Sequence, residues 1–121
     1  MHEFSIALSI IEIAENEAKK ANANSISELV LDIGTQSGIE ISALETALEM
    51  AVLNTSLEKS KIQINTIQAE AKCRDCSEIF EIENIFDSCP KCGSYFHEII
   101  SGKEMKVKSL LIETDWFKNQ S

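Results

Sequence analysis

The chain has 121 residues, 44% hydrophobic and 26% charged, the size of one domain with one modest apolar core, which excludes disordered and fibrous classes. Twenty acidic against eleven basic residues give a net charge of −9, a balance that repels polyanions and argues against nucleic acid or an anionic membrane surface as partner. The N-terminus carries no basic stretch ahead of its apolar residues, and no apolar run approaches the roughly 20 residues that span a bilayer, so a cytoplasmic protein is expected, with thiols kept reduced.

From Met1 to about Lys20, polar Ser5, Ser9, Glu12, Asn16 and Lys19 recur every three or four positions, opposite Phe4, Ala7, Leu8, Ile11, Ala14 and Ala18. That spacing predicts an amphipathic helix. Residues 21–25 read as a loop. Alternation over Ile26–Ile33 then predicts a strand with Leu29, Leu31 and Ile33 on the buried face and Glu28 and Asp32 on the other. Gly34 and Gly38 bracket a turn, and Ser37 with Glu40 fits a capping box before a second helix. Its predicted stripe is Ile41, Leu44, Leu48 and Ala51 or Val52.

Residues 61–71 alternate again, but the phase changes between Ile62 and Ile64 on one face and Ile67, Ala69 and Ala71 on the other. A bulge, or a strand leaving one sheet for another, accounts for the change. The stretch from 72 to 95 has too few large apolar residues for a core of its own. Met105, Val107 and Leu110–Ile112 read as a last strand in need of a sheet. Trp116 and Phe117 are expected to bury against that sheet. The economical arrangement is an α+β fold: a discontinuous domain of residues 1–71 and 97–121, with a cysteine-rich domain of residues 72–96 inserted between its strands. Phase shifts in the late strands leave monomer and strand-exchanged dimer both open.

All four cysteines lie in the inserted stretch, as Cys73 and Cys76, then, after twelve residues, Cys89 and Cys92. Each C-x-x-C forms a tight turn with two sulfurs aimed at one centre, and two such turns give the tetrahedral S₄ shell that zinc prefers. Pro90 and Gly93 suit the bends. A closed thiolate shell leaves no position for substrate, so the expected role is structural. Zinc ribbons also occur in adaptors and nucleic-acid-binding modules, which is the competing reading. Within residues 72–94, however, Lys72, Arg74 and Lys91 face Asp75, Glu78, Glu81, Glu83 and Asp87, and this acidic balance counts against it. Tyr95 and Phe96 are accordingly read as packing residues, and His97 as a strand residue beside the ribbon. No nucleophile, base and pocket constellation signals an enzyme.

Met1-His2-Glu3 has a chemistry of its own. A free α-amine, the His2 imidazole and the His2 amide nitrogen can hold one ion in fused chelate rings, with Glu3 close enough to complete a square. Divalent nickel and copper favour such tetragonal, nitrogen-rich sites. The alternative is a plain helix start, with Glu3 near the positive end of the dipole.

Together, Met1-His2-Glu3, the stretch Ile33-Gly34-x-x-Ser37-Gly38, the paired cysteines Cys73-x-x-Cys76 and Cys89-Pro90-x-Cys92-Gly93, and Gly102-x-Glu104-Met105 resemble the HypA family over essentially the whole chain. The resemblance implies a nickel-incorporation accessory protein of hydrogenase maturation, in some bacteria serving urease too. It implies a small mixed sheet with two helices as the nickel domain, plus a separate zinc-ribbon domain. His2 would be the indispensable nickel ligand, joined by main-chain nitrogens at the first residues, with Glu3 nearby. Structural zinc and cargo nickel are the implied metals. The implied partners are the GTPase HypB, the large subunit of nickel–iron hydrogenase and, where urease is matured, urease accessory proteins.

Overall fold

The computed structural model describes residues 2–114; Met1, Trp116 and Phe117 lie outside them. The elements run α1 (His2–Lys20), β1 (Ala23–Gly34), α2 (Ile41–Ala51), β2 (Lys61–Ile67), β3 (Glu70–Cys73), β4 (Ile79–Glu81), β5 (His97–Ser101) and β6 (Met105–Thr114). They form two three-stranded sheets, ordered β2-β1-β6 and β4-β3-β5. The chain divides into two compact units. One comprises Met1–Leu31, Glu40–Ile64 and Val107–Ser121; the other comprises Asp32–Ile39 and Asn65–Lys106.

In the first unit, α1 buries Ala7, Ile10, Ile11, Ala14 and Ala18. The three alanines let α2 approach closely, and the two helices pack against each other. Leu8, expected on the buried face, is 48% exposed because the stripe runs through Ile10 instead. Glu3 in the first turn and Lys19 and Lys20 in the last complement the helix dipole. Asn22, with φ +56°, ends the helix in the left-handed region that asparagine tolerates. Because β1 starts at Ala23, the strand consumes most of the expected loop. Ser27 Oγ donates to the Leu111 carbonyl at 3.1 Å, and Leu29 and Leu31 are fully buried.

Helix α2 buries Leu44, Ala47, Leu48 and Ala51. Its cap differs from the expected capping box: Glu40 is itself the N-cap, its carboxylate accepting from the N–H groups of Ser42 (3.2 Å) and Ala43 (2.8 Å). Ser37 Oγ instead accepts from Ile39 N–H at 3.2 Å. After α2, Glu15 accepts from both the N–H (3.1 Å) and the hydroxyl (3.0 Å) of Ser56, fixing the turn that buries Leu57.

The second unit explains the phase change along residues 61–71. Strand β2 ends at Ile67 and β3 begins at Glu70 in the other sheet. Antiparallel pairing of β3 with β4 sets Ala71 opposite Phe80, and pairing with β5 sets it opposite Ile99. A small core of Ala69, Ala71, Cys73, Phe80, Ile82 and Cys89 results. Asp32 departs from expectation. It is buried, and Asn65 Nδ2 donates to its Oδ1 at 3.1 Å, which satisfies a carboxylate that alternation had assigned to water.

Three segments of this unit cross where side chains are missing. Gly34 N–H donates to the Glu104 carbonyl and Gln36 N–H to the Gly102 carbonyl, each at 2.7 Å, while Thr35 N–H donates to the Ile67 carbonyl at 2.9 Å. A Cβ on Gly34 would lie 1.9 Å from the Gly102 oxygen, and one on Gly102 would lie 2.2 Å from Ala69 Cα. Both obstacles are backbone and cannot rotate away. Gly34→Ala should therefore lower stability by about 3 kcal/mol, read as a shifted denaturation midpoint of metal-loaded protein; an unchanged midpoint would contradict the crossing.

Candidate metal centre

Two turns of the same design carry the cysteines. In the first, Ser77 N–H donates to the Cys73 carbonyl (3.0 Å) and Cys73 N–H to the Glu78 carbonyl (2.8 Å). In the second, Gly93 N–H donates to the Cys89 carbonyl and Cys89 N–H to the Ser94 carbonyl, both at 2.8 Å. The fifth residue of each turn is left-handed, Ser77 at φ +65° and Gly93 at φ +77°. Glycine meets this need in the second turn, whereas a serine carries the strain in the first, which no spacing rule reveals. Ser94 Oγ donates to Asp75 Oδ2 at 2.5 Å and clasps the two turns together.

The turns bring all four sulfurs within 4.8 Å of one another. Cys73 Sγ lies 3.5 Å from Cys92 Sγ, and Cys76 Sγ lies 3.6 Å from Cys89 Sγ. Metal–sulfur bonds of about 2.3 Å in a tetrahedron require sulfurs roughly 3.8 Å apart, so the donor set fits a four-coordinate ion with only small adjustment. Cys73 and Cys89 are buried, Cys76 is half-buried and Cys92 is exposed. None of the four is joined in a disulfide.

Electrostatics within the cluster favour an ion. The backbone N–H of Cys76 leads in bringing the Cys73 thiol down to about 7, against the effect of burial. The Glu78 N–H favours a thiolate at Cys76, but burial and the sulfurs of Cys89, Cys92 and Cys73 outweigh it and push that thiol up to about 12. Cys92 is also raised: its Ser94 N–H bond favours the thiolate, and the Cys73 sulfur and burial prevail. One thiolate therefore repels the formation of others until a cation neutralises them.

His97 opens β5 directly opposite Cys73. Its ring meets Phe80 edge-on at 5.8 Å, and its buried Nδ1 has no hydrogen-bond partner among the described residues. Tyr95 and Phe96, expected to pack, are instead 70% and 71% exposed.

At the other end of the chain, His2 is exposed at the start of α1. Glu3 Oε2 accepts from the Glu40 N–H at 3.3 Å, which ties the residue capping α2 to the first turn of α1. Ser42, first through its hydroxyl, and the Ala43 N–H hold the Glu40 carboxyl below its usual range. Glu40 had been read only as part of a capping box; its place next to Glu3 follows from tertiary packing and leaves no mark in the sequence. Among the described residues, the four cysteines are the only group of three or more potential metal-binding side chains drawn together. No described helix is long and apolar enough to cross a membrane.

Known proteins share this pattern. The family described as "Hydrogenase/urease nickel incorporation, metallochaperone, hypA" matches residues 1–112. The hydrogenase maturation factor HypA of Parabacteroides distasonis is 45% identical over 115 residues, covering 95% of this chain and all of the relative. The Aquifex aeolicus protein of the same name is 39% identical over an equal length and coverage. The solution structure of the nickel metallochaperone HypA from Helicobacter pylori superposes with a TM-score of 0.67 at 30% identity, covering 93% of this chain and 98% of that one.

Two outcomes test the cluster. Gly93→Ala meets no atom within 4 Å, so its cost is purely conformational, about 1 kcal/mol; it should weaken metal affinity about fivefold in a chelator competition, and no change would contradict the left-handed turn. Cys76 and Cys92 hold their protons at neutral pH and must release them to an ion. The logarithm of zinc affinity should therefore climb by at least about 2 per pH unit near neutrality, and a slope near zero would contradict the proton-loaded cluster.

Proposed function

Because this chain belongs to the HypA family of hydrogenase maturation factors and nickel metallochaperones, we propose that it takes up divalent nickel at its own N-terminus and hands it to the large subunit of nickel–iron hydrogenase. Met1, His2 and Glu3 supply the donors: the α-amine, the His2 imidazole and amide nitrogen, and a Glu3 group nearby. The observation that carries this reading is the exposure of His2 at the very start of α1, together with a family match that begins at the first residue. An imidazole exposed there is directly accessible to an ion.

The chemistry suits a carrier. A d⁸ ion in a square of nitrogen donors keeps its two axial faces open, so groups of an acceptor protein can bind before the original donors leave. Nickel competes with protons for these donors, so its affinity declines as pH falls. Glu3, hydrogen-bonded to the Glu40 N–H, steadies the first turn from which these donors project.

The second metal is zinc, held by Cys73, Cys76, Cys89 and Cys92 in a ribbon of residues 72–96. With all four positions filled by thiolate, it serves structure and leaves nickel to the chain end. The work is done in the cytoplasm with the GTPase HypB, and with urease accessory proteins where urease is matured. Support for these partners is the family membership. His2→Ala should abolish specific nickel binding in calorimetry while zinc content stays unchanged; undiminished nickel affinity in that variant would contradict the assignment.

A further inference from the structure

The loop between the two cysteine turns places its apolar residues in solvent. Ile85 is 52% and Phe86 75% exposed, whereas Ile82, just before them, is fully buried in the small core. Neither exposed side chain belongs to that core. In a unit so poor in large apolar residues, this placement is not explained by folding.

The loop is also locked. Asp87 Oδ2 accepts from the N–H groups of Glu83 (2.9 Å) and Asn84 (3.1 Å), and Asn84 Oδ1 accepts from the Phe86 N–H at 2.9 Å. The Asp87 N–H closes the turn onto the Asn84 carbonyl at 2.9 Å, and Gln36 Nε2 holds the Glu83 carbonyl at 2.8 Å. Five hydrogen bonds thus hold a phenylalanine out into water. A side chain held in this way loses little freedom on binding, which is what favours an anchor residue.

We propose that the turn 83–87 is a docking tip, on which Ile85 and Phe86 seat against an apolar surface of a partner protein flanked by lysine or arginine. The charge around the tip selects that occupant. Glu83 and Asp87 bracket the apolar pair, with Glu78 and Glu81 just before them. Nucleic acid and anionic lipid are repelled. A second copy of the chain, at net charge −9, would bring the same carboxylates face to face. This role is independent of how nickel is bound.

The test uses the full-length, zinc-loaded chain, with amide NMR shifts followed during titration with a synthetic amphipathic helix of leucine and lysine, and with its leucine–glutamate counterpart. The lysine peptide should move resonances at residues 82–88 saturably, and the glutamate peptide should leave them in place. Phe86→Ser should weaken the interaction about tenfold, with Ile85→Ser as a second variant should the first disturb the remaining spectrum; Glu83→Gln should weaken it most at low salt. The proposal is overturned if both peptides act alike, if the shifts fall outside the turn, if neither serine variant changes affinity, or if the wild-type chain self-associates through Phe86.

Discussion

Sulfur closing around one ion is the interaction on which the second unit depends. Its apolar core comprises six residues, two of them cysteines of the cluster itself. Burying Phe80 and Ile82 contributes only about 2 to 3 kcal/mol each, and Ala69 and Ala71 add less. A tetrathiolate zinc site contributes apparent free energies of about 10 to 16 kcal/mol at neutral pH. An ion bound there would take the place of a core, and the backbone suits one: two matched turns, a left-handed residue in each, and the Asp75–Ser94 clasp between them.

That arrangement has a consequence for function. All four cysteines of the chain lie in the closed shell, so no cysteine sulfur is left for a second metal. Under the proposed function the cargo ion binds nitrogen and oxygen donors of the first residues, without asking the fold to form a pocket. Such a site can be selective through geometry and still release its ion quickly, because solvent and incoming donors reach it directly. Glu3 accepts from the Glu40 N–H and Glu40 caps α2, which ties the first turn of α1 to the helix pair.

Features governed by local spacing were readable in the sequence, and those governed by what a segment meets across the fold were not. Both helices, the strands β1, β2 and β6 and the passage of residues 61–71 from one sheet to another followed from periodicity, since a strand that exchanges sheets must change which face is buried; the short β4 and β5 did not. The four cysteines announced their cluster because ligand spacing is itself local. Leu8 was misassigned because Leu8 and Ile10 are equally apolar and lie on either flank of the stripe, and packing buries Ile10. Asp32 was assigned to water because its partner Asn65 lies 33 residues away. The exposure of Tyr95 and Phe96 had no sequence signal either. Gly34 and Gly102 were legible as turn residues, but the reason neither tolerates a side chain is the other's backbone or that of Ala69.

The central claim is a division between two metals, sulfur for one and chain-end nitrogen for the other. X-ray absorption at the nickel edge, on protein loaded with one equivalent each of zinc and nickel, addresses it directly. The account predicts a nickel shell of light nitrogen and oxygen scatterers in square geometry, with zinc surrounded by four sulfurs. Thiolate sulfur in the nickel shell would contradict it.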